Sequence, residues 1–355
     1  MALTDQSTRI RNGEELDAAV IDPYLKAHIP GLTGEPKISQ FPGGASNLTY
    51  LIEYPEKEFV LRRPPFGHKA KSAHDMGREF RILNQLNDGF PYCPKAYVHC
   101  TDDSVLGAEF YVMERVNGII LRTDMPAEMN FGPEQTRELC KNFIDRFVEL
   151  HNVDYNAVGL GDLGKPEGYV ERQIGGWTDR YEKAMTPDAP TWDVAKAWLR
   201  DKMPADHHKP AIVHNDYRLD NVILDANNPT KIIGVLDWEL TTIGDPLMDL
   251  GNTLAYWIDA NDSAPMQMMR RQPSNAPGMF TRQEFAEYYG ERAGVEVKNL
   301  DFYYTYGLFR LAGIVQQIYY RYFHGQTQDK RFASFIQLNK LLEHASLQVI
   351  NKSTL

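Results

Sequence analysis

The sequence predicts an α+β fold in two parts, a small antiparallel sheet followed by a mostly helical body. Three observations lead there. A chain of 355 residues is longer than one hydrophobic core usually supports, so two packed parts are expected. The apolar residues alternate in short runs up to Glu114, then recur every three and four positions beyond Asn117-Gly118, which is the change from strand to helix period. The composition, 43% apolar and 24% charged, is that of an ordinary globular protein.

Residues 13–28 are predicted as a helix, with Leu16, Ala19, Val20, Tyr24 and Leu25 at helical spacing before Pro30-Gly31 breaks the pattern. Short β-prone runs follow at 38–41, 48–53 and 58–62, separated by Gly43-Gly44 and Pro55, and read as antiparallel strands. A helix at 76–86 and strands at 97–99 and 109–114 complete the first part, and Asn117-Gly118 is the expected linker, dividing the chain into 1–117 and 118–355. Helices are predicted at 134–151, 168–185 and 192–203. Brief strands at 211–214, 222–224 and 232–236 interrupt them, and helices resume from Pro246 around a Pro- and Met-rich loop at 263–278. No internal repeat or low-complexity tract is visible.

A formal charge of −10 and a pI near 5.5 lack the basic footprint that nucleic-acid binding needs. Cys93, Cys100 and Cys140 are an odd number with no C-x-x-C pair and no charged-then-apolar leader before them, so a reduced, cytoplasmic setting is expected. Residues 308–322 are apolar and aromatic yet shorter than a membrane span and are read as a buried helix, with no membrane association. A homodimer is compatible with all of this.

The strongest chemical signal is Val213-His214-Asn215-Asp216-Tyr217-Arg218-Leu219-Asp220-Asn221, which contains H-x-D-x-x-x-x-N, the catalytic-loop spacing of protein kinases. In that chemistry the Asp accepts the proton of an attacking hydroxyl and the Asn coordinates magnesium, roles that fall to Asp216 and Asn221. Arg218 is placed to neutralise charge on a transferring phosphoryl group. Further on, an apolar strand ends in Asp237-Trp238-Glu239, and Asp237 is the second expected metal ligand. Taken alone, a carboxylate after a strand is more often a turn or a helix cap than a metal ligand; the ordered set of four is not so explained. His214 is expected to brace the loop.

With these residues in view, the chain resembles the aminoglycoside phosphotransferase family, the antibiotic- and choline-kinase branch of the protein-kinase-like fold. The stretches Gly159-Leu160-Gly161-Asp162-Leu163-Gly164-Lys165-Pro166-Glu167-Gly168-Tyr169, His214 to Asn221, and Gln316-Gln317-Ile318-Tyr319-Tyr320-Arg321-Tyr322 resemble the kinase-like domain found beside, or fused to, acyl-CoA dehydrogenases. The likeness runs from about residue 35 to 345. No dehydrogenase domain accompanies it here. It implies a bilobal fold with a nucleotide-binding first lobe and a helical second lobe that holds the catalytic loop and the acceptor pocket.

The resemblance also assigns weaker features. Phe41 to Asn47, with Gly43, Gly44, Ser46 and Asn47, becomes the phosphate-covering turn, although the residues alone fit a plain hairpin loop equally well. Arg62 stands where the family carries the lysine that pairs with the α- and β-phosphates, a departure that a guanidinium tolerates, and Glu79 is the helix carboxylate expected to hold it. The stretch around Glu114 and Val116 is assigned to adenine binding through its backbone. Asp245 reads as the N-cap of a helix with Pro246 at its first position. Asp249 is implied as the carboxylate that braces the catalytic-loop backbone.

The expected reaction is therefore ATP- and magnesium-dependent phosphoryl transfer to a small-molecule hydroxyl, the likeness to dehydrogenase-associated kinases suggesting a hydroxyacyl-CoA. An aminoglycoside is less attractive, because the acidic residues are scattered along the late helices. The aromatic series Tyr303, Tyr304, Tyr306, Phe309, Tyr319, Tyr320, Tyr322 and Phe323 fits core packing or an acceptor pocket. Two rival classes stand beside this reading: a nucleotide-binding pseudokinase or regulatory module, and a metal-dependent hydrolase using His214, Asp216 and Asp237 with the pair His207-His208.

Overall fold

A computed structural model describes residues 4–42, 47–65, 75–205 and 209–355. It divides into two compact units. The first comprises Met1–Ile120, Asp154–Leu160 and Asn221–Thr241; the second comprises Leu121–Val153, Gly161–Asp220 and Thr242–Leu355. The hairpin that carries Asp237 thus counts with the sheet, although it lies far beyond residue 117 in the chain.

The first unit opens with α1 (Ala18–His28), strands β1 (Lys37–Gln40), β2 (Leu48–Glu53) and β3 (Glu58–Arg63), α2 (Met76–Leu86), β4 (Ala96–Cys100), α3 (Asp103–Leu106) and β5 (Phe110–Glu114). The five strands form one antiparallel sheet in the order β1-β2-β3-β5-β4. Helix α1 starts later than the apolar period suggests, at Ala18. Asp17 is the reason: its carboxylate caps the Ala19 amide at 2.9 Å, while the Glu14 carbonyl accepts from the hydroxyl of the buried Tyr50 at 2.6 Å.

Side chains on a strand alternate between the two faces of the sheet. Tyr50, Ile52, Phe59, Leu61, Phe110 and Val112 pack with Ile21 and Leu25 of α1 in one core. Arg62 and Tyr111, adjacent in sequence to Leu61 and Val112 and opposite one another in the β3–β5 register, therefore face the other side, where α2 packs on β4 and β5. Helix α2 begins where predicted because Asp75 caps the Arg78 amide at 2.8 Å. Its buried stripe of Met76, Ile82, Leu83 and Leu86 also contains Glu79.

The second unit contains α4 (Pro133–His151), α5 (Tyr169–Lys183), α6 (Asp193–Asp201) and β6 (Ala211–Val213). The chain then contributes the hairpin β7 (Val222–Leu224) and β8 (Ile232–Val235) to the first unit, and continues in the second with β9 (Thr242–Gly244), α7 (Pro246–Tyr256), α8 (Ala264–Gln267), α9 (Arg282–Ala293), α10 (Leu300–Phe323) and α11 (Phe335–Lys352). Strand β9, too short to show a period, pairs antiparallel with β6. Helix α8 interrupts the stretch expected to be loop.

Helices α7 and α10 touch through bare backbone. A Cβ on Gly251 would overlap the Tyr303 carbonyl, and one on Gly307 would overlap the carbonyl of Gly251, so small residues are needed where the two helices meet. Tyr303, Tyr306, Phe309 and Tyr319 of α10 are buried. Gln316 and Asn339 join α10 to α11 by a hydrogen bond of 2.8 Å, and Gln316 also donates to the Ala184 carbonyl at 2.8 Å. Among the described residues, no helix is long and apolar enough to cross a membrane.

Candidate active site

In the second unit the loop that follows β6 is tied down along its length. Asp249, fully buried in the first turn of α7, accepts from the backbone amides of His214 at 2.6 Å and Asn215 at 2.7 Å. The His151 ring nitrogen Nε2 lies 3.2 Å from the same carboxylate. His214 is also buried, and its Nδ1 accepts from the Asp216 amide at 3.2 Å. Asn215 takes a left-handed backbone, φ 65°, a conformation that Asn tolerates better than most residues. Its Oδ1 accepts from Asn252 at 3.0 Å. Tyr217 is sandwiched between Phe143 and Phe147 with both centroids at 4.4 Å, and Leu219 donates to Gln272 Oε1 at 2.7 Å. Asp245 caps α7 by accepting from the Leu247 amide at 2.7 Å, with Pro246 at the first helical position.

Held between these ties, Asp216 and Arg218 face each other, Nη2 to Oδ2 at 3.4 Å. The Arg218 Nε lies 3.2 Å from Asp220 Oδ1, and its guanidinium carbon sits 4.6 Å above the centre of the Tyr256 ring. Burial pushes the Asp220 carboxyl above its ordinary range despite the neighbouring Arg218. Arg218, Asp220 and Tyr256 also line a cavity of ≈ 380 Å³ within this unit. Met266, Leu311, Ile314 and Leu342 are among its apolar walls, and Arg122 and Arg271 among its polar ones.

The first unit gathers the predicted phosphate and metal residues. In the β7–β8 ladder Val222 faces Val235, and the Leu236 amide donates to the Asn221 carbonyl at 2.8 Å. Asn221 and Asp237 are thereby brought to the same end of one hairpin. Asp237 has φ 69°, an uncommon backbone for a non-glycine residue and one found often at functional turns. Arg62 reaches it, Nη2 to Oδ1 at 3.5 Å, and binds Glu79 Oε1 through Nη1 at 2.5 Å. The second Glu79 oxygen, Oε2, and the Tyr111 hydroxyl are both buried without a hydrogen-bond partner among the described residues. Burial raises the Glu79 carboxyl above its ordinary value, outweighing the pull of Arg62. The neighbouring Arg63 points to the opposite face and donates to the Leu106 carbonyl at 2.8 Å.

Three contributors escaped the sequence reading. Arg78 of α2 donates to the carbonyls of Glu239, at 3.3 Å, and Thr241, locking α2 to the turn after Asp237. Glu239 lies 3.8 Å from Arg62 and accepts from Asn47 Nδ2 at 3.3 Å. Tyr256 supports Arg218. Only its position at the end of an apolar helix could have hinted at Tyr256, and nothing local marks the other two.

Gly43, Gly44 and Ser46 lie outside the described residues, as does the pair His207-His208. Among the described residues, no group of three or more His, Cys, Asp or Glu is placed to hold a metal ion. Glu114 ends β5, its amide bonded to the Lys95 carbonyl at 2.8 Å. Val116 packs against Gly234 of β8, where an added Cβ would lie 3.2 Å from the Val116 side chain. Gly118 approaches the same hairpin so closely that a Cβ would overlap the Leu224 carbonyl, and Ile119 exchanges two backbone hydrogen bonds with Leu224 at 2.9 and 2.8 Å.

Known proteins place this arrangement. The chain is 30% identical over 346 residues to acyl-CoA dehydrogenase family member 11 of Homo sapiens, covering 96% of this chain and 44% of that protein. It is 33% identical over 333 residues to family member 10 of Mus musculus, covering 92% of this chain and 30% of that one. It thus spans less than half the length of these curated relatives. Among solved structures, a Ralstonia eutropha protein described as a candidate aminoglycoside phosphotransferase superposes with a TM-score of 0.82 at 29% identity, over 96% of this chain and 100% of that one. Choline kinase from Cryptosporidium parvum shares the fold at a TM-score of 0.63 and 13% identity, over 95% and 96% of the two chains. The model of the phosphotransferase enzyme family matches residues 37–288, from β1 through the 214–221 loop and into α9, and the chain belongs to that family, with the protein-kinase-like α+β fold.

Proposed function

We propose that the protein transfers the γ-phosphoryl group of ATP to a hydroxyl of a small molecule. The observation that carries this reading is the convergence of Asn221, Asp237 and the Arg62–Glu79 pair at one end of the β7–β8 hairpin. An amide oxygen and a carboxylate are hard oxygen donors suited to magnesium, and Asn221 and Asp237 are the residues that would hold it. When bound, the ion neutralises phosphate charge. Arg62, oriented by Glu79, provides the fixed cation for the nucleotide phosphates. Asp216 accepts the proton of the attacking hydroxyl, and Arg218, steadied by Asp220 and Tyr256, offsets charge on the moving group. Backbone groups near Glu114 and Val116 bind the base.

For the acceptor, a hydroxyacyl group such as a hydroxyacyl-CoA is supported by the apolar walls of the cavity beside Arg218 and by the names of the curated relatives. The three arginines at the same cavity, Arg122, Arg218 and Arg271, make it a poor host for a polycation such as an aminoglycoside.

The test is ADP release from ATP and magnesium across a panel of hydroxyacyl-CoAs, sugars, amino alcohols and aminoglycosides, with Asp216→Asn as the blank. Acceptor-dependent ADP release is expected, and Asp237→Ala is expected to abolish the magnesium-dependent turnover. Retained turnover in Asp237→Ala would remove the metal assignment; silence across the whole panel would favour a regulatory nucleotide-binding module.

A further inference from the structure

The cavity beside Arg218 combines aliphatic walls with an excess of positive charge. Ile314 and Ile318 of α10 and Leu338 and Leu342 of α11 line it, and so do Arg122, Arg218, Asp220 and Arg271, all of them in the second unit. Asp220 is the carboxylate of this set, and it already lies 3.2 Å from Arg218. Arg122 and Arg271 therefore add two cations to the cavity in a chain whose formal charge is −10. Both are exposed, and a lining residue that also meets water marks the opening.

The segments that carry these two arginines are fastened to each other and to the 214–221 loop. Arg270 donates from Nε to the Thr123 carbonyl at 3.3 Å and pairs with Asp124, which joins the neighbours of Arg271 to those of Arg122. On the other side of Arg271, the fully buried Gln272 accepts from the Leu219 amide at 2.7 Å and donates to the Tyr256 carbonyl at 3.1 Å. The chain is thus held on both sides of Arg271, while the Arg271 side chain makes no hydrogen bond or ion pair among the described residues. A binding group on a supported backbone loses less freedom when its ligand arrives. A guanidinium is a planar fork of donors matched to carboxylate and phosphate oxygens.

We propose that Arg271 and Arg122 form an anion site at the opening of this cavity, so that the acceptor is an anionic amphiphile whose aliphatic part enters and whose charged group stays at the two guanidinium groups. The proposal rests on the phosphotransferase reading and adds two specificity residues and a charge class of acceptor to it. A cavity of ≈ 380 Å³ holds about a dozen non-hydrogen atoms at about 30 Å³ each, enough for a chain of medium length. The anion is the carboxylate of a free acid or the phosphates of a CoA thioester whose acyl part alone enters, and both offer the same oxygens to the fork. Arg271 and Arg122 act on specificity; they take no part in moving the proton or the phosphoryl group.

The experiment measures binding of 3-hydroxydecanoate, its CoA thioester and the uncharged 1,3-decanediol to the full chain by calorimetry in the presence of ADP, alongside acceptor-dependent ADP release from ATP. Wild type is expected to bind at least one anionic probe about tenfold or more tightly than the diol. Arg271→Gln and Arg122→Gln are each expected to shrink that preference and raise the KM for the anionic probe, with the diol and ADP bound as before, and Arg271→Lys to recover part of it. Raising the salt from about 0.05 to about 0.5 M should weaken the anionic probe in wild type and leave the diol unaffected, because the proposed contacts are exposed. A preference for the free acid assigns the carboxylate to the site; a preference confined to the thioester assigns its phosphates. The proposal is overturned if wild type does not distinguish the anionic probes from the diol, or if the double variant Arg122→Gln/Arg271→Gln keeps the distinction. Should a variant fail to fold, the salt dependence of wild type carries the test, and an anionic probe indifferent to salt removes the anion site. Arginine-dependent binding of the anionic probes without acceptor-stimulated ADP release would keep the site and remove the phosphotransferase reading, whereas ADP release stimulated equally by the diol would do the reverse.

Discussion

Replacing Asp249 by Asn changes one oxygen to an amide nitrogen at the point where the 214–221 loop is fastened. The carboxylate takes the His214 amide on one oxygen and the Asn215 amide on the other, at 2.6 and 2.7 Å, with His151 at 3.2 Å. Asparagine has one acceptor oxygen, so one of the two backbone amides must face an NH₂ group. The loss is one charge-assisted hydrogen bond, about 1.5–3 kcal/mol, plus the cost of a buried donor left unpaired, about 1–3 kcal/mol. Because the site is fully buried, water offers little relief, and a total near 4 kcal/mol is expected. At about 2–4 °C per kcal/mol for a domain of some 150–250 residues, the melting temperature should fall by about 10 °C, read by circular dichroism. Turnover should fall with it, because Asp216 is oriented through His214. A melting temperature within about 2 °C of wild type would show that Asp249 does not fasten the loop.

Further outcomes follow from other contacts. Gly118→Ala forces a Cβ into the Leu224 carbonyl and should cost the first unit about 1–3 kcal/mol, measured as a lower midpoint in urea; an unchanged midpoint refutes the close approach. Tyr256→Leu removes the ring under Arg218 and should lower acceptor-dependent kcat by about fivefold, the equivalent of about 1 kcal/mol, with nucleotide affinity unchanged; equal losses in both would mean general damage. Glu79 gives a pH signature. Its folded carboxyl lies above the ordinary 4.5, so above that pH the folded state retains a proton that the unfolded chain has released. Stability from this source is full below 4.5 and is lost as pH rises through the folded value. The stability difference, wild type minus Glu79→Gln, should therefore decline with rising pH in urea titrations, and a flat or rising difference contradicts it.

How far the sequence led depends on how local each feature is. Asp216, Arg218 and Asn221 fall within one short loop, and their spacing alone led to the expected reaction class; Asp237 stood out as a candidate because it ends an apolar run. Helix α2 falls at the predicted bounds, its start fixed locally by the Asp75 cap, whereas the start of α1 was missed because the choice between Asp17 and an earlier start depends on Tyr50, distant in sequence. The three-residue β9 carries too few positions to show a period.

The family and the α+β class could thus be written from the chain, and so could the order of the residues proposed for metal and phosphate, since each rests on short-range spacing and on the period of apolar side chains. Which face of β3 carries Arg62 toward Glu79 while Arg63 turns to Leu106, and how Arg78 and Glu239 enclose the turn at Asp237, were settled only in three dimensions. Those contacts join residues that are remote in sequence, and their energies come from burial and charge pairing that no single segment contains.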